Sequence, residues 1–218
     1  MTRIICLANS WKRGNRCIAG LHTIKKNWVR VISDQPDGGI TKDMRLINGQ
    51  EPALLDVIDI PLTHQAREQF EFERENVSVS PGKWRREQTI PAGYLLKYYS
   101  KDVYILHNDE PYISLGYLQA LPLEKRQTLQ LVKAVQFSVH SIPRGNNGEK
   151  WKGTLVTEYG KELTATITDP VFVRRLELGY CPQPPCLVTV SLSMPWQPED
   201  WEKEDNPCWK LIAGVVEL

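Results

Sequence analysis

Most signatures that would mark this 218-residue chain as an enzyme are missing. It has no P-loop, G-x-G-x-x-G, G-x-S-x-G, H-E-x-x-H or H-x-E…C-x-x-C motif. Its four histidines, His22, His64, His107 and His140, are scattered. The five cysteines are odd in number and contain no C-x-x-C pair, which argues against a disulfide framework. Cys181 and Cys186 enclose Pro182, Pro184 and Pro185, a spacing unlike a zinc knuckle. Cys6 and Cys17 sit inside apolar runs and read as small buried hydrophobes. No stretch of eighteen apolar residues offers a membrane span. The N-terminus lacks a signal-peptide h-region, so a cytoplasmic protein is expected. The expectation is therefore no catalytic residue, no metal and no cofactor. The enzyme reading that remains is a metal-dependent nuclease, with His64 or His107 meeting Asp56, Asp59 or Glu75 in space.

Acid is missing too, in one place. Before Asp34 there is no Asp or Glu, yet Arg3, Lys12, Arg13, Arg16, Lys25, Lys26 and Arg30 are all present. The formal net charge is only +1, so any attraction for a polyanion must be local. The opposite sign collects in the segment Trp196–Trp209, WQPEDWEKEDNPCW.

What is present reads as short strands. Ile4–Ala8 and Cys17–Leu21 are apolar runs around a turn, Trp11–Arg16, with Gly14-Asn15 at its tip. In Trp28–Ser33, Trp28, Arg30 and Ile32 share one strand face, while Val29 and Val31 share the other. Leu54–Leu62 is a further strand closed by Pro61, and Phe70–Ser80 alternates through FEFEREN. Glu87–Ser100 has helical spacing at Ile90, Tyr94, Leu95 and Tyr98, and Val103–Leu106 reads as a short strand. Thr128–Ile142 is a long strand with Leu129, Leu131, Val135, Phe137 and Val139 turned inward. A hairpin is expected about Tyr159-Gly160-Lys161, a helical turn at Val171–Leu178, and strands at Cys186–Met194 and Trp209–Val216. The class is all-β with minor helices, organised as a tandem of two related barrels. Residues 1–126 form the first barrel with a partly helical connector, and 127–218 form the second. No residue-level repeat relates them.

The first sixty-two residues resemble a known family. The carrying residues are R-I-I-C-L-A-N-S from Arg3, the basic Gly/Asn loop, R-C-I-A-G at Arg16–Gly20, W-V-R-V-I-S at Trp28–Ser33 and L-L-D-V at Leu54–Val57. Glu75-Asn76 adds looser support. The pattern is similar to the dual OB-containing domain proteins of bacteria, matching at Asn9, Ser10, Arg16, Gly20, Trp28, Arg30 and Ser33. It departs where the family pattern places a proline after W-x-R and this chain has Val31-Ile32. The resemblance implies two OB folds in tandem and a nucleic-acid role, in some members beside antiviral defence or modification systems. It implies no catalytic residue.

An OB barrel grips single strands with a basic groove and stacking aromatics. The candidate nucleic-acid contacts are therefore Asn9, Ser10, Lys12, Arg13, Arg16, Trp28 and Arg30 in the first half, and Lys150, Trp151 and Lys152 in the second. The bland readings are a buried Trp28, an Arg30 paired with Asp56 or Asp59, and a solvated loop at Lys12–Arg16. Asn9, Ser10, Arg30 and Asn76 equally suit a polar pocket for a nucleotide or modified base, which would make a small pocket enzyme. The expected partner is nucleic acid, single-stranded before duplex, bound by a recognition or adaptor module. The competing class is a protein-interaction subunit that docks a basic partner through Trp196–Trp209.

Overall fold

The computed structural model describes residues 1–63, 72–144, 148–199, 201–202 and 206–218. Strands hold 47% of the chain and helices 13%, as the all-β reading requires. The chain divides into two compact units, Met1–Tyr98 and Tyr99–Leu218.

The first unit contains β1 (Thr2–Lys12), β2 (Asn15–His22), β3 (Trp28–Ile32), α1 (Lys42–Arg45), β4 (Asp56–Ile60), β5 (Leu62–Thr63), β6 (Asn76–Val79) and β7 (Arg85–Thr89). The strands form one sheet in the order β5-β6-β3-β2-β1-β4-β7. β4 and β5 are successive parts of one extended stretch, separated by Pro61. Proline cannot donate to a ladder, so the pairing changes partner there. Asp56–Ile60 pairs with β1, and Leu62–Thr63 pairs with β6. Chain continuity thus ties the two sides of the sheet together and curls it. Ile4, Cys6, Ile18, Val29, Val31, Ile58, Ile60 and Trp84 fill the concave side. Each fully buried aliphatic chain there contributes about 1.5–3 kcal/mol.

The second unit contains β8 (Tyr112–Ser114), α2 (Leu115–Ala120), β9 (Leu129–Arg144), β10 (Gly148–Thr157), β11 (Glu162–Ile167), α3 (Pro170–Glu177), β12 (Cys186–Leu192) and β13 (Pro207–Glu217). Five strands close a ring, β9-β10-β11-β13-β12 and back to β9, because β11 pairs in parallel with β13 at Thr166↔Leu211 and Ile167↔Ile212. The interior side is marked by Gly153, where a Cβ would lie 2.8 Å from Ile212 and 2.9 Å from Phe137. α3 starts at Asp169, whose carboxylate accepts the N–H groups of Val171 and Phe172, with Pro170 at the first helical position.

The two units share one connectivity. β1, β2 and β3 form a meander, β3 runs parallel to β6, and β4 returns to β1. β9, β10, β11, β12 and β13 repeat that scheme. The tandem arrangement is real even though the residues carry no repeat.

Several expectations change. Residues 99–126, read as the first half's connector, belong to the second unit, because β8 pairs with β13 at Tyr112↔Trp209 and Ser100 N–H donates to Leu131 O. Glu87–Ser100 is a strand end followed by a 3₁₀ segment at Ala92–Lys97. Val103–Leu106 is not a strand. Val135 is 39% exposed, because a bulge at Val135 between the pairs Gln136↔Val156 and Ala134↔Thr157 switches the facing side. His64 and Phe70–Glu71 lie outside the described residues, as do Gly145–Asn147, Asp200 and Lys203–Asp205. No described helix is long and apolar enough to cross a membrane.

Candidate nucleic-acid interface

OB barrels receive oligonucleotides on the outer side of their second and third strands, flanked by the loops joining strands 1–2 and 4–5. In the first unit that surface belongs to β2 and β3, with the β1–β2 turn at one edge.

The turn is a two-residue hairpin loop. Lys12 pairs with Asn15, while Arg13 and Gly14 have φ of 45° and 86°. Positive φ at both central positions is the geometry that Asn-Gly or Gly-Gly satisfies most cheaply. Arg13 occupies it nonetheless, with its side chain exposed. Beside it Trp11 is 48% exposed, an aromatic outside the Trp28/Arg30 pair expected on β3. Its adjacency to Lys12-Arg13 was the available signal. Lys12 itself is half-buried, and burial lowers its pKa.

The other candidates of this unit are internal. Asn9 is buried, and its amide donates to Pro52 O at 2.8 Å. Arg16 Nε meets Glu51 at 3.2 Å, and Arg45 Nη2 meets the same carboxylate at 2.7 Å. Arg45 chiefly holds the Glu51 carboxyl below its ordinary pKa. These groups pin the segment after α1 to the barrel. Ser10 is buried on the outer side opposite Cys17.

The expected groove floor is closed. Arg30 is 3% exposed. One guanidinium nitrogen bonds Glu73, and the other lies 3.0 Å from Glu75. Asn76 donates to the second Glu73 oxygen at 2.8 Å. The partners are therefore Glu73 and Glu75, not Asp56 or Asp59. Asp59 is held by Arg3 at 2.7 Å, and Asp56 by Arg86 at 2.8 Å. Around Arg30 the outward side chains Ile5, Ala19, Leu21 and Ile32 are all buried, and Trp28 is half-buried.

The second unit presents the opposite case. The register puts Gln136, Ser138 and His140 of β9, Lys152 and Thr154 of β10, and Glu162, Thr164 and Thr166 of β11 on its outer side. Gln136, Ser138, His140, Glu162 and Thr164 are exposed. Glu162 is the only acid among these outward positions of the described residues. Lys152 stands opposite His140, and Lys150, exposed, stands opposite Ile142. Trp151 is not the stacking partner of these lysines. Alternation turns it to the other side of β10, where its indole N–H is buried without a partner among the described residues.

The loop joining the fourth and fifth strands of this barrel is the acidic tryptophan segment. Trp201 and Trp209 pack edge to face at 5.4 Å, and Tyr112 joins both. Trp209 Nε1 donates to Trp196 O, while the Trp196 ring is 61% exposed beside the exposed Glu199 and Glu202. His107 Nε2 lies 2.8 Å from Gln127 O, and among the described residues no three His, Cys, Asp or Glu side chains converge to hold a metal.

Comparison with known families matches a dual OB-containing domain over residues 2–215. No curated protein and no solved structure matches the chain.

Proposed function

We propose, from the premise that this chain belongs to the dual OB-containing domain family, that it binds single-stranded nucleic acid as a recognition or adaptor module without chemistry of its own. The observation that carries the reading is the outer side of β9–β10–β11. It is open and rich in hydroxyl and amide groups, it bears Lys150 and Lys152, and it has one acid. Phosphates of a strand would meet the lysines, and the hydroxyls would meet sugar and base edges. In the first unit the contact surface narrows to Arg13 and Trp11 on the β1–β2 turn. Arg13 holds a costly backbone conformation at the place where OB barrels meet ligand, a pattern associated with functional sites. Any reaction on the strand, in a defence or modification system, would fall to a partner enzyme.

The test is anisotropy of a labelled single strand of about 16 nucleotides, the upper site size of one OB fold. Binding at low ionic strength should weaken at least tenfold in the double variant Lys150→Glu/Lys152→Glu. Absence of any salt-dependent binding by the unmodified protein rejects the reading. A second reading rests on Trp196, whose exposed ring and acidic neighbours suit a basic protein partner. Trp196→Ala would then abolish partner capture while leaving strand binding intact.

A further inference from the structure

At the other end of the same β9–β10–β11 sheet lies a partly open cleft whose enclosed space admits about one water. A flat group would therefore lie against the exposed rings of its rim and not inside it. Its walls include Tyr99, Tyr104 and Tyr159. Tyr104 is 46% exposed and Tyr159 43%, so neither ring is there to fill a core. The floor is rigid. Gln130, 2% exposed, donates to Ser100 Oγ at 2.9 Å and to Tyr104 O at 3.2 Å, and accepts Leu106 N–H at 2.7 Å.

The charges around the rings cancel once Asp102, which accepts from Ser100 Oγ at 2.7 Å, is counted. Glu158 accepts the Tyr99 hydroxyl at 2.9 Å and faces Lys101 at 3.5 Å and Lys133 at 3.6 Å. Lys161 is matched by Asp109 at 2.9 Å and sits 4.7 Å from the Tyr104 ring centre. Such a cleft gives no net pull on a phosphate, but it gives aromatic faces and a carboxylate acceptor to a flat, uncharged group. Lys133 links it to the outer side of β9, because the bulge at Val135 keeps Lys133 on the same side as Gln136, Ser138 and His140.

We propose that one nucleobase of the bound strand lies over the rim of this cleft, stacked on Tyr104 and Tyr159, with Glu158 accepting from an exocyclic amino group. The inference rests on the reading above and adds a base preference to it. Carboxylates accept from amino-bearing base edges such as cytosine N4 and have nothing to accept from thymine O4. Glu158 is a specificity-determining residue on this account.

The experiment measures binding of oligo-dC and oligo-dT single strands at neutral pH, across a salt series. The proteins are the unmodified chain, Tyr104→Ala, Tyr159→Ala, Glu158→Gln and the Lys150→Glu/Lys152→Glu pair. The proposal expects each tyrosine variant to bind oligo-dC about 5- to 150-fold more weakly, the range for losing one stacked base. The salt slope should not change, and the preference for oligo-dC should disappear in Glu158→Gln. Both rings are nearly half exposed, and the thermal midpoint of each variant checks that the fold is kept. If the lysine pair weakens binding while the tyrosine and Glu158 variants bind like the parent, the cleft inference falls and the nucleic-acid reading stands. If the parent binds neither strand, that reading falls and the cleft inference with it.

Discussion

Arg30 is the residue whose meaning changed most between chain and fold. On a strand it shares a face with Trp28, which makes it a candidate base or phosphate contact. In the fold it is a buried cation between Glu73 and Glu75. Removing one member of such a cluster leaves uncompensated charge in a place without water. Arg30→Met should therefore lower unfolding free energy by about 3–5 kcal/mol in urea titration. Loss of strand binding in that variant would report unfolding, not a lost contact. Lys210 makes a different residue-level prediction. It is 3% exposed, its ammonium donates to Asn108 O at 2.7 Å, and burial lowers its pKa to about 8 despite Asp109 and Glu110. Between about 8 and the ordinary 10.5 the unfolded chain holds the proton that the folded chain has released. Stability should thus rise with pH across that window, with the full burial cost present below it. Lys210→Met should lose this rise, seen as a difference between the two proteins in denaturant midpoints over the same pH range.

At the scale of elements, the β1–β2 turn is the most informative. A non-glycine residue in the left-handed region costs about 1–2 kcal/mol, and asparagine tolerates it best. Arg13→Asn should raise stability by about 0.5–1 kcal/mol in thermal or chemical unfolding, because the side chain is exposed and loses no packing. If Arg13 is held there for a strand, the same variant should bind single strands more weakly. Gain of stability with loss of binding is the paired outcome to measure. β10 shows how an element decides a site. Lys150, Trp151 and Lys152 are neighbours in sequence, but the two-residue period of a strand sends the lysines outward and the indole to the other side. β9 adds a bulge that composition does not announce, and Val135 moves outside because of it.

At the scale of the whole molecule, two units of one connectivity carry different surfaces. The first closes its outer side over β3, and the second leaves its outer side open. A protein with formal net charge +1 has no general attraction for polyanions. Binding through Lys150 and Lys152 should give a slope of log affinity against log salt of about −1.4, from about 0.7 per phosphate neutralised on a single strand. A much steeper slope would mean that the basic N-terminal stretch joins the contact after all. Anisotropy over a sodium chloride series separates the two.

The amino-acid order by itself determined the longer strands, the hairpin turns between them, and the class. Alternation at Trp28–Ile32, the hairpin at Gly160 and the proline at Pro61 are local signals with local causes. It also determined the family resemblance, since the motifs through Val57 are contiguous. Only the tertiary structure decided which basic residues meet solvent. Charge pairing between Arg30 and Glu73, 43 residues apart, or between Arg16 and Glu51, 35 apart, leaves no mark on the pattern of either strand. The gathering of Tyr99, Tyr104 and Tyr159 around Glu158 was illegible for the same reason. Those residues lie on separate segments, and ring closure by β11 and β13 is what builds the barrel whose edge they share.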